Sequence, residues 1–395
     1  MHTGQAGHAG RRVAALSAPG APFATVRTEN GSLVYADGPR TLREFVEATW
    51  AYGDRPFLLG AGSPRPATAE APYAADAPYT YGEFFAAATA LANHFVDAYG
   101  LRPGDRAALA MGDLPEWQTA FWAAQLAGLV AVPLDAAWTE DEIAYALDDC
   151  APRVLLVDGE RLPRVRRWAA RQGAGAVRTV VCRHGGEVGG GTERYEDLPA
   201  PDRYAAPPDV EVRAEDDATI SYVPGPSGRP RGAVATQLAQ AGAAMNARYL
   251  AAVAALDSGE IPGLGPVPVT PLTYPFPRVE ALTRVYAAMA AGGALRVMDG
   301  PRRDDGSEVP GSGDSFGDSS GGTFGLTETC GDVFSGGRPT PVTEVRIDEA
   351  GELWLRGQSL VRGYWGQAPA WEGWFGTGVP ATLRDGRVRT GSPAP

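Results

Sequence analysis

A chain of 395 residues, 44% of them hydrophobic, is long enough to bury a substantial core and to divide it among more than one subdomain. Its formal net charge of −12 argues against general affinity for nucleic acid or an anionic membrane surface, since both reward clustered positive charge, and leaves small molecules or proteins as the expected partners. All 35 basic residues are arginine, so the chain offers no side-chain amine for a Schiff base, for a general base of lowered pKa or for a compact point charge on a phosphate.

Residues 1–40 have little periodicity and read as an arm that wraps a domain or is partly disordered. Residues 41–50 have amphipathic helical spacing, with Thr41 or Asp37 available near the start, and the Pro/Ala-rich stretch 60–78 reads as an inserted loop. From Tyr79 onward helix and strand signals alternate. A helix is predicted over 81–99, the turn Pro103-Gly104-Asp105 leads into a strand at 106–110, and a helix at 115–128 precedes a strand at 129–134. Thr139 and an acidic first turn mark the start of a helix at 139–149, followed by a strand at 154–157. This is the rhythm of an α/β domain with a mainly parallel sheet.

A second unit begins after the Pro-rich stretch 199–208, with a strand at 218–222, a Gly/Pro-rich loop reaching Gly232, and a long Ala-rich helix at 235–256. Strand, glycine-rich loop and helix in that order present backbone N–H groups to phosphate, although a plain strand-to-helix turn reads the same way. Residues 300–322 are Gly/Ser/Asp-rich and are expected to be poorly ordered. Short strands at 344–347 and 352–356 suggest a small β region. The expected fold class is α/β, with layered parallel-sheet subdomains and a small C-terminal β region, divided as 1–40, 41–208, 209–341 and 342–395.

The three cysteines, Cys150, Cys182 and Cys330, form no CxxC pair and have no His-rich neighbourhood, which argues against a disulfide framework or a zinc site. Residues 1–22 lack an apolar signal core and no apolar run is long enough to cross a bilayer, so a cytoplasmic location without membrane attachment is the default expectation. His94 lies within a helical pattern and His184 in a polar loop, and neither has a partnered acid nearby in sequence. Glu328 and Cys330 are a potentially reactive pair, but a thiol nucleophile needs an activating base that the sequence does not identify.

The segment Tyr222-Val223-Pro224-Gly225-Pro226-Ser227-Gly228-Arg229-Pro230-Arg231-Gly232 stands in order with Tyr79-Thr80-Tyr81-Gly82-Glu83-Phe84, Gly128-Leu129-Val130-Ala131-Val132-Pro133-Leu134, Pro271-Leu272-Thr273-Tyr274-Pro275-Phe276, Phe324-Gly325-Leu326-Thr327-Glu328-Thr329, Gly363-Tyr364-Trp365 and Gly373-Trp374-Phe375-Gly376-Thr377-Gly378-Val379. Together these resemble the adenylate-forming superfamily of acyl-CoA synthetases, nonribosomal adenylation domains and luciferases over nearly the whole chain. Residues 39–58 further resemble its fatty-acyl and aryl CoA-ligase branch. The resemblance implies that Gly225, Ser227, Gly228 and Arg231 meet nucleotide phosphates and that Phe324 lies against adenine. It implies that Thr327 meets phosphate, that Glu328 holds magnesium when nucleotide binds, and that Tyr274 and Phe276 face the substrate. ATP or AMP, magnesium and a CoA or carrier-protein thioester are the cofactors it implies. Inherited packing explains the same residues without a ligand, and Tyr274, Trp374, Trp117 and Trp122 suit a core as well as a pocket.

The pattern also breaks where ATP contacts are expected. Val223 stands in place of a hydroxyl residue, Pro224 and Pro226 each remove an N–H donor, and Arg231 occupies the lysine position. Val379 stands where the family places a carboxylate on the ribose, and the second echo Arg389-Thr390-Gly391-Ser392 also lacks an acid. Residues 300–322 replace strands and helices of the acyl pocket, and the lysine-bearing C-terminal subdomain of the family is expected to be absent. The expected function is a degenerate acyl-CoA-synthetase-like protein, repurposed in bacterial specialised metabolism to act on an acyl, aryl or carrier-bound thioester ligand, with self-sufficient adenylation weakened or lost. Two other readings stand beside it: a half-enzyme that adenylates a carboxylate with a partner chain, and a noncatalytic scaffold for an intact ligase or a carrier protein.

Overall fold

Local capping chemistry starts the first helices. In the computed structural model, which describes residues 11–60, 79–173, 175–189, 191–226, 228–263, 267–297, 323–368, 373–384 and 386–391, a short hairpin of β1 (Thr25–Arg27) and β2 (Leu33–Tyr35) precedes α1 (Leu42–Ala48). The loop at 61–78, Ser227, Ser392 and the segment expected to be poorly ordered at 300–322 lie outside the described residues. Thr41 rather than Asp37 caps α1, its Oγ1 accepting from Glu44 N at 3.1 Å. After β3 (Pro56–Leu59) and β4 (Tyr79–Thr80), α2 (Tyr81–Asp97) opens on a capping box: Thr80 Oγ1 accepts from Glu83 N, and Glu83 Oε2 accepts from Thr80 N at 3.0 Å. There follow β5 (Arg106–Ala110), α3 (Pro115–Leu126), β6 (Val130–Pro133), α4 (Glu140–Cys150), β7 (Val154–Asp158), α5 (Leu162–Arg171), β8 (Arg178–Cys182) and β9 (Thr192–Arg194). Thr139 and Glu142 form a second capping box on α4, as its sequence predicts.

The chain continues with β10 (Asp217–Val223), β11 (Arg231–Thr236), α6 (Gln237–Asp257), β12 (Val269–Leu272), α7 (Val279–Ala291) and β13 (Ala294–Val297). It then forms β14 (Thr323–Leu326), β15 (Gly331–Ser335), β16 (Arg338–Pro339), β17 (Thr343–Ile347), β18 (Glu352–Gly357), β19 (Gly363–Tyr364), β20 (Phe375–Arg384) and β21 (Arg387–Thr390). The large sheet runs β19-β11-β10-β6-β5-β7-β8-β9 and is parallel from β10 to β9. Its β10–β11 and β11–β19 pairs are antiparallel. A second sheet runs β12-β13-β3-β4. Both sheets draw on both sides of the boundary expected at residue 208, because β10 pairs with β6 and β3 pairs with β13.

The long helix starts at Gln237, not at residue 235 as its sequence suggests. Residues 231–236 pair with β10 instead, burying Ala233, Val234 and Ala235, and Thr236 then caps the helix by accepting from Ala239 N at 3.2 Å. The arm before α1 lies against α6, with Val13, Phe23 and Tyr35 packed on Met245, Tyr249 and Val253. Trp117 and Trp122 are fully buried in the main core, where Trp117 stacks on Phe121 with centroids 5.4 Å apart. The pocket reading of these two tryptophans is therefore replaced by a packing one. The C-terminal part forms two small antiparallel sheets, β14-β15-β16 and β17-β18-β20-β21, closed over an apolar cluster of its own. Among the described residues no helix is long and apolar enough to cross a membrane.

Candidate functional site

Because β10 and β11 are antiparallel and Val223 pairs with Arg231, the Gly/Pro-rich segment is a hairpin loop spanning 224–230. The helix begins only after the whole of β11. The loop therefore does not sit on a helix N-terminus, and the strand–loop–helix reading is corrected to strand–hairpin–strand. Its glycines are required by close backbone approach: a Cβ at Gly225 would lie 2.3 Å from Arg229 O, and one at Gly232 would lie 2.5 Å from Ile220 Cγ2. Gly228 has φ +77°, and its N–H donates to Gly225 O at 3.1 Å, within the loop itself. Pro224 and Pro226 supply no N–H.

Arg231, at the end of the hairpin, lies over the ring of Tyr364 with its guanidinium carbon 3.8 Å from the ring centroid. Its Nε is buried without a hydrogen-bond partner among the described residues. Tyr364 reaches this place because β19 pairs with β11, setting Ala233 opposite Tyr364, and because Trp365 N donates to Gly232 O at 2.7 Å. The Tyr364 hydroxyl in turn donates to Glu328 Oε1 at 2.9 Å. Burial, and then the Glu328 charge and hydrogen bond, hold the Tyr364 phenol well above its ordinary pKa, so it remains a proton donor to that carboxylate. The sequence placed Arg231 and Glu328 in one site. Tyr364, which joins them, stood only within a motif match.

Glu328 sits on a single 3-10 turn, Thr327–Thr329, between β14 and β15. Thr329 Oγ1 accepts from Leu326 N at 2.8 Å, and Val361 N donates to Glu328 O at 2.9 Å, which pins the turn to the strand that carries Tyr364. Thr327 is half-buried beside Glu328, and its carbonyl accepts from Cys330 N. Cys330 is fully buried, and burial, with Glu328 adding to it, pushes its thiol well above the ordinary range. It stays protonated, which removes the reactive Glu328/Cys330 pair as a nucleophile system.

Two expected contact residues are committed to packing. Phe324 is 6% exposed and lies against Phe334, centroids 5.5 Å apart, inside the C-terminal apolar cluster that also holds Val379. Phe276 is fully buried against Trp117 at 5.3 Å, and its N–H donates to Asp113 Oδ1 at 2.8 Å. Packing accounts for both rings without a ligand. Tyr274, two residues before Phe276, is half-buried and lines a cavity of about 360 Å³ between α6, α7 and the β14–β15 hairpin. Leu250 and Ala254 form its apolar wall, and Glu280, Arg284 and Asp332 bring charge to it. His94 finds an acid that sequence proximity could not reveal, with Nε2 3.5 Å from Glu193 Oε2, away from this cavity.

Residues fit to hold ATP and magnesium are few. Pro224 and Pro226 lack an N–H, Arg231 is laid on Tyr364, Glu328 already accepts a hydrogen bond, and Val379, at the position the family resemblance assigns to a ribose acid, is apolar and buried. No group of three His, Cys, Asp or Glu residues able to hold a metal ion occurs among the described residues. This donor set does not match a triphosphate with its metal. A cavity of a size for a small ligand is nonetheless present beside Tyr274.

A sequence profile of the AMP-binding enzyme family matches residues 61–310, more than half of the chain. The chain is 31% identical over 155 residues to the long-chain-fatty-acid–CoA ligase FadD13 of Mycobacterium tuberculosis, which covers 38% of this chain and 29% of that protein. It is 31% identical over 157 residues to a feruloyl-CoA synthase of Amycolatopsis sp, covering 40% and 28% respectively. The matched stretches span less than a third of these relatives' own length. In three dimensions the chain is similar to the N-terminal domain of FACL13 from Mycobacterium tuberculosis, with a TM-score of 0.64 at 20% identity over 89% of this chain and 100% of that one. It is also similar to the anthranilate CoA ligase AuaEII in complex with anthranoyl-AMP, with a TM-score of 0.70 at 17% identity over 89% and 77%.

Proposed function

This chain belongs to the AMP-binding enzyme family and has the mixed α/β fold of the adenylate-forming large domain; on that premise we propose that it binds a small acyl or aryl ligand, as the acid or its thioester, while ATP-dependent adenylation by this chain alone is weakened or lost. The observation that carries this reading is the Arg231–Tyr364–Glu328 chain. The cation and the carboxylate that the family resemblance assigns to phosphate and magnesium engage the two sides of one tyrosine. Each charge-assisted hydrogen bond missing from the hairpin removes roughly 1.5–3 kcal/mol of phosphate binding, so the shortfall of several donors is enough to abolish useful affinity. The cavity beside Tyr274 is meanwhile of a size for a small ligand. Family membership implies ATP or AMP and CoA as cofactors, and relatives are named for ligating fatty and aryl acids to CoA. Acids of those classes and their CoA or carrier-protein thioesters are therefore the ligands to test.

The test pairs ATP–pyrophosphate exchange, over a panel of fatty, amino, benzoic and cinnamic acids, with calorimetric titration of ATP, AMP, hexanoate, 6-aminohexanoate, benzoate, hexanoyl-CoA and benzoyl-CoA. The expected result is exchange no greater than the acid-free control together with binding of an acid or thioester. Acid-dependent exchange by this chain alone overturns the loss of adenylation. Absence of binding by every acid and thioester overturns the ligand reading.

A further inference from the structure

The charge around the Tyr274 cavity is not balanced. Among its described lining residues, two carboxylates, Glu280 on α7 and Asp332 on β15, stand against one guanidinium, Arg284. Arg284 itself lies over the Tyr274 ring, 5.5 Å from its centroid. The position of Asp332 is tightly determined. A register shift between Phe324 and Gly325 bulges β14, and a Cβ at Gly325 would lie 2.3 Å from Gly331 O, so only glycine lets the hairpin close there. On the other side a Cβ at Gly331 would lie 2.6 Å from Thr283 Oγ1, which presses β15 directly onto α7. Asp332 thus lines the same cavity as Glu280 and Thr283.

Burial raises the Asp332 pKa; the Glu280 charge acts in the same direction, and a hydrogen bond from Thr323 and the Arg284 charge act against both. A carboxylate in that position gains most from a ligand that carries positive charge, whereas a ligand carboxylate set there is repelled. The rest of the wall, Leu250 and Ala254, suits a hydrocarbon body.

We propose that this cavity recognises a basic nitrogen, and that its ligand is a small acid or thioester bearing an ammonium group remote from the carboxyl end, seated by Asp332 and Glu280 with its hydrocarbon against Leu250 and Ala254. This deepens the proposed function and rests on the cavity being its ligand site. Uncharged fatty and aryl tails are then the poorer ligands. The selectivity comes from charge and hydrogen bonding, not from cavity size.

Calorimetric titration of the full chain with 6-aminohexanoate, hexylamine, hexanoate and hexan-1-ol tests this without nucleotide. Expected is binding of both amines, with hexanoate and hexan-1-ol at least about tenfold weaker. Asp332→Asn is expected to lose about tenfold in affinity for hexylamine while keeping its far-UV circular dichroism and unfolding cooperativity. Glu280→Gln, at the half-buried first turn of α7, guards against a folding defect and is expected to act in the same direction. Equal or tighter binding of hexanoate, or unchanged hexylamine affinity in both variants, overturns the recognition of a basic nitrogen and leaves the acyl-ligand reading standing. Binding by none of the four probes counts against both.

Discussion

The guanidinium of Arg231 rests 3.8 Å from the ring centroid of Tyr364, at the point where β19 joins the edge of the large sheet beside β11. This contact ties the phosphate-loop hairpin to the Glu328 turn, because the same tyrosine donates its hydroxyl to Glu328. Three segments far apart in the chain meet on one side chain. A desolvated cation–π contact contributes up to about 2 kcal/mol, and the hydrogen bond to a charged acceptor contributes on the order of 1.5–3 kcal/mol before solvent competition.

Tyr364→Phe keeps the ring under Arg231 and deletes only the hydroxyl, so it is expected to lower stability by about 1.5–3 kcal/mol. Tyr364→Ala removes ring, hydroxyl and packing together and is expected to cost about 3–5 kcal/mol. Urea denaturation of the two variants separates these contributions. Equal losses in both would mean that the ring contributes nothing beyond its hydroxyl.

Restoring hydroxyls and N–H donors to the hairpin should restore phosphate binding. The triple variant Val223→Thr, Pro224→Ser, Pro226→Thr is expected to bind ATP at least about tenfold more tightly than the parent chain, read by calorimetry. An unchanged affinity would show that the donor deficit is not what limits nucleotide binding.

Phe276 and Tyr274 are close in sequence but differ in role. Phe276→Ala empties a fully buried site against Trp117 and is expected to destabilise the fold by about 3–5 kcal/mol. Tyr274→Ala, at a half-buried cavity wall, is expected to cost about 1 kcal/mol and to change ligand affinity instead. Thermal unfolding and ligand titration on both variants read the contrast directly, and a reversal of the two effects would return Phe276 to the pocket.

All three thiols are buried, and each pKa is raised chiefly by burial, that of Cys150 to about 12. Iodoacetamide at pH 8 is expected to label none of them in the folded chain and all of them in denaturant, as read by intact mass. The sign of the linkage follows. Above about pH 8.5 the unfolded chain releases thiol protons that the folded chain keeps, so this contribution to stability is present below that pH and declines as pH rises further. A native chain labelled at Cys330 would revive it as a reactive group.

Much of this architecture was readable locally. The Thr80/Glu83 and Thr139/Glu142 boxes mark two helix starts within four residues of sequence, and the apolar runs at β5, β6 and β7 mark a buried parallel sheet. The prolines at 224 and 226 were legible as residues without donors, while only the family resemblance marks 231 as an arginine in a lysine place. These are properties of side-chain type and of hydrogen bonds between near neighbours, which the order of residues states directly.

Tertiary structure alone decided how the remaining groups are used. Residues 231–236 lie in a strand because β10 and β19 flank them, although the alanine at 235 reads equally well as the start of the helix. Phe276 and Phe324 have the residue types of ligand-facing rings, but partners distant in the chain, among them Asp113 at 163 residues' separation, bury them. The Tyr364 link, the Asp332 cavity and the buried Cys330 thiol follow from the same cause. Burial and pairing depend on which surfaces converge in space, and convergence is set by sheet order and register rather than by neighbours along the chain.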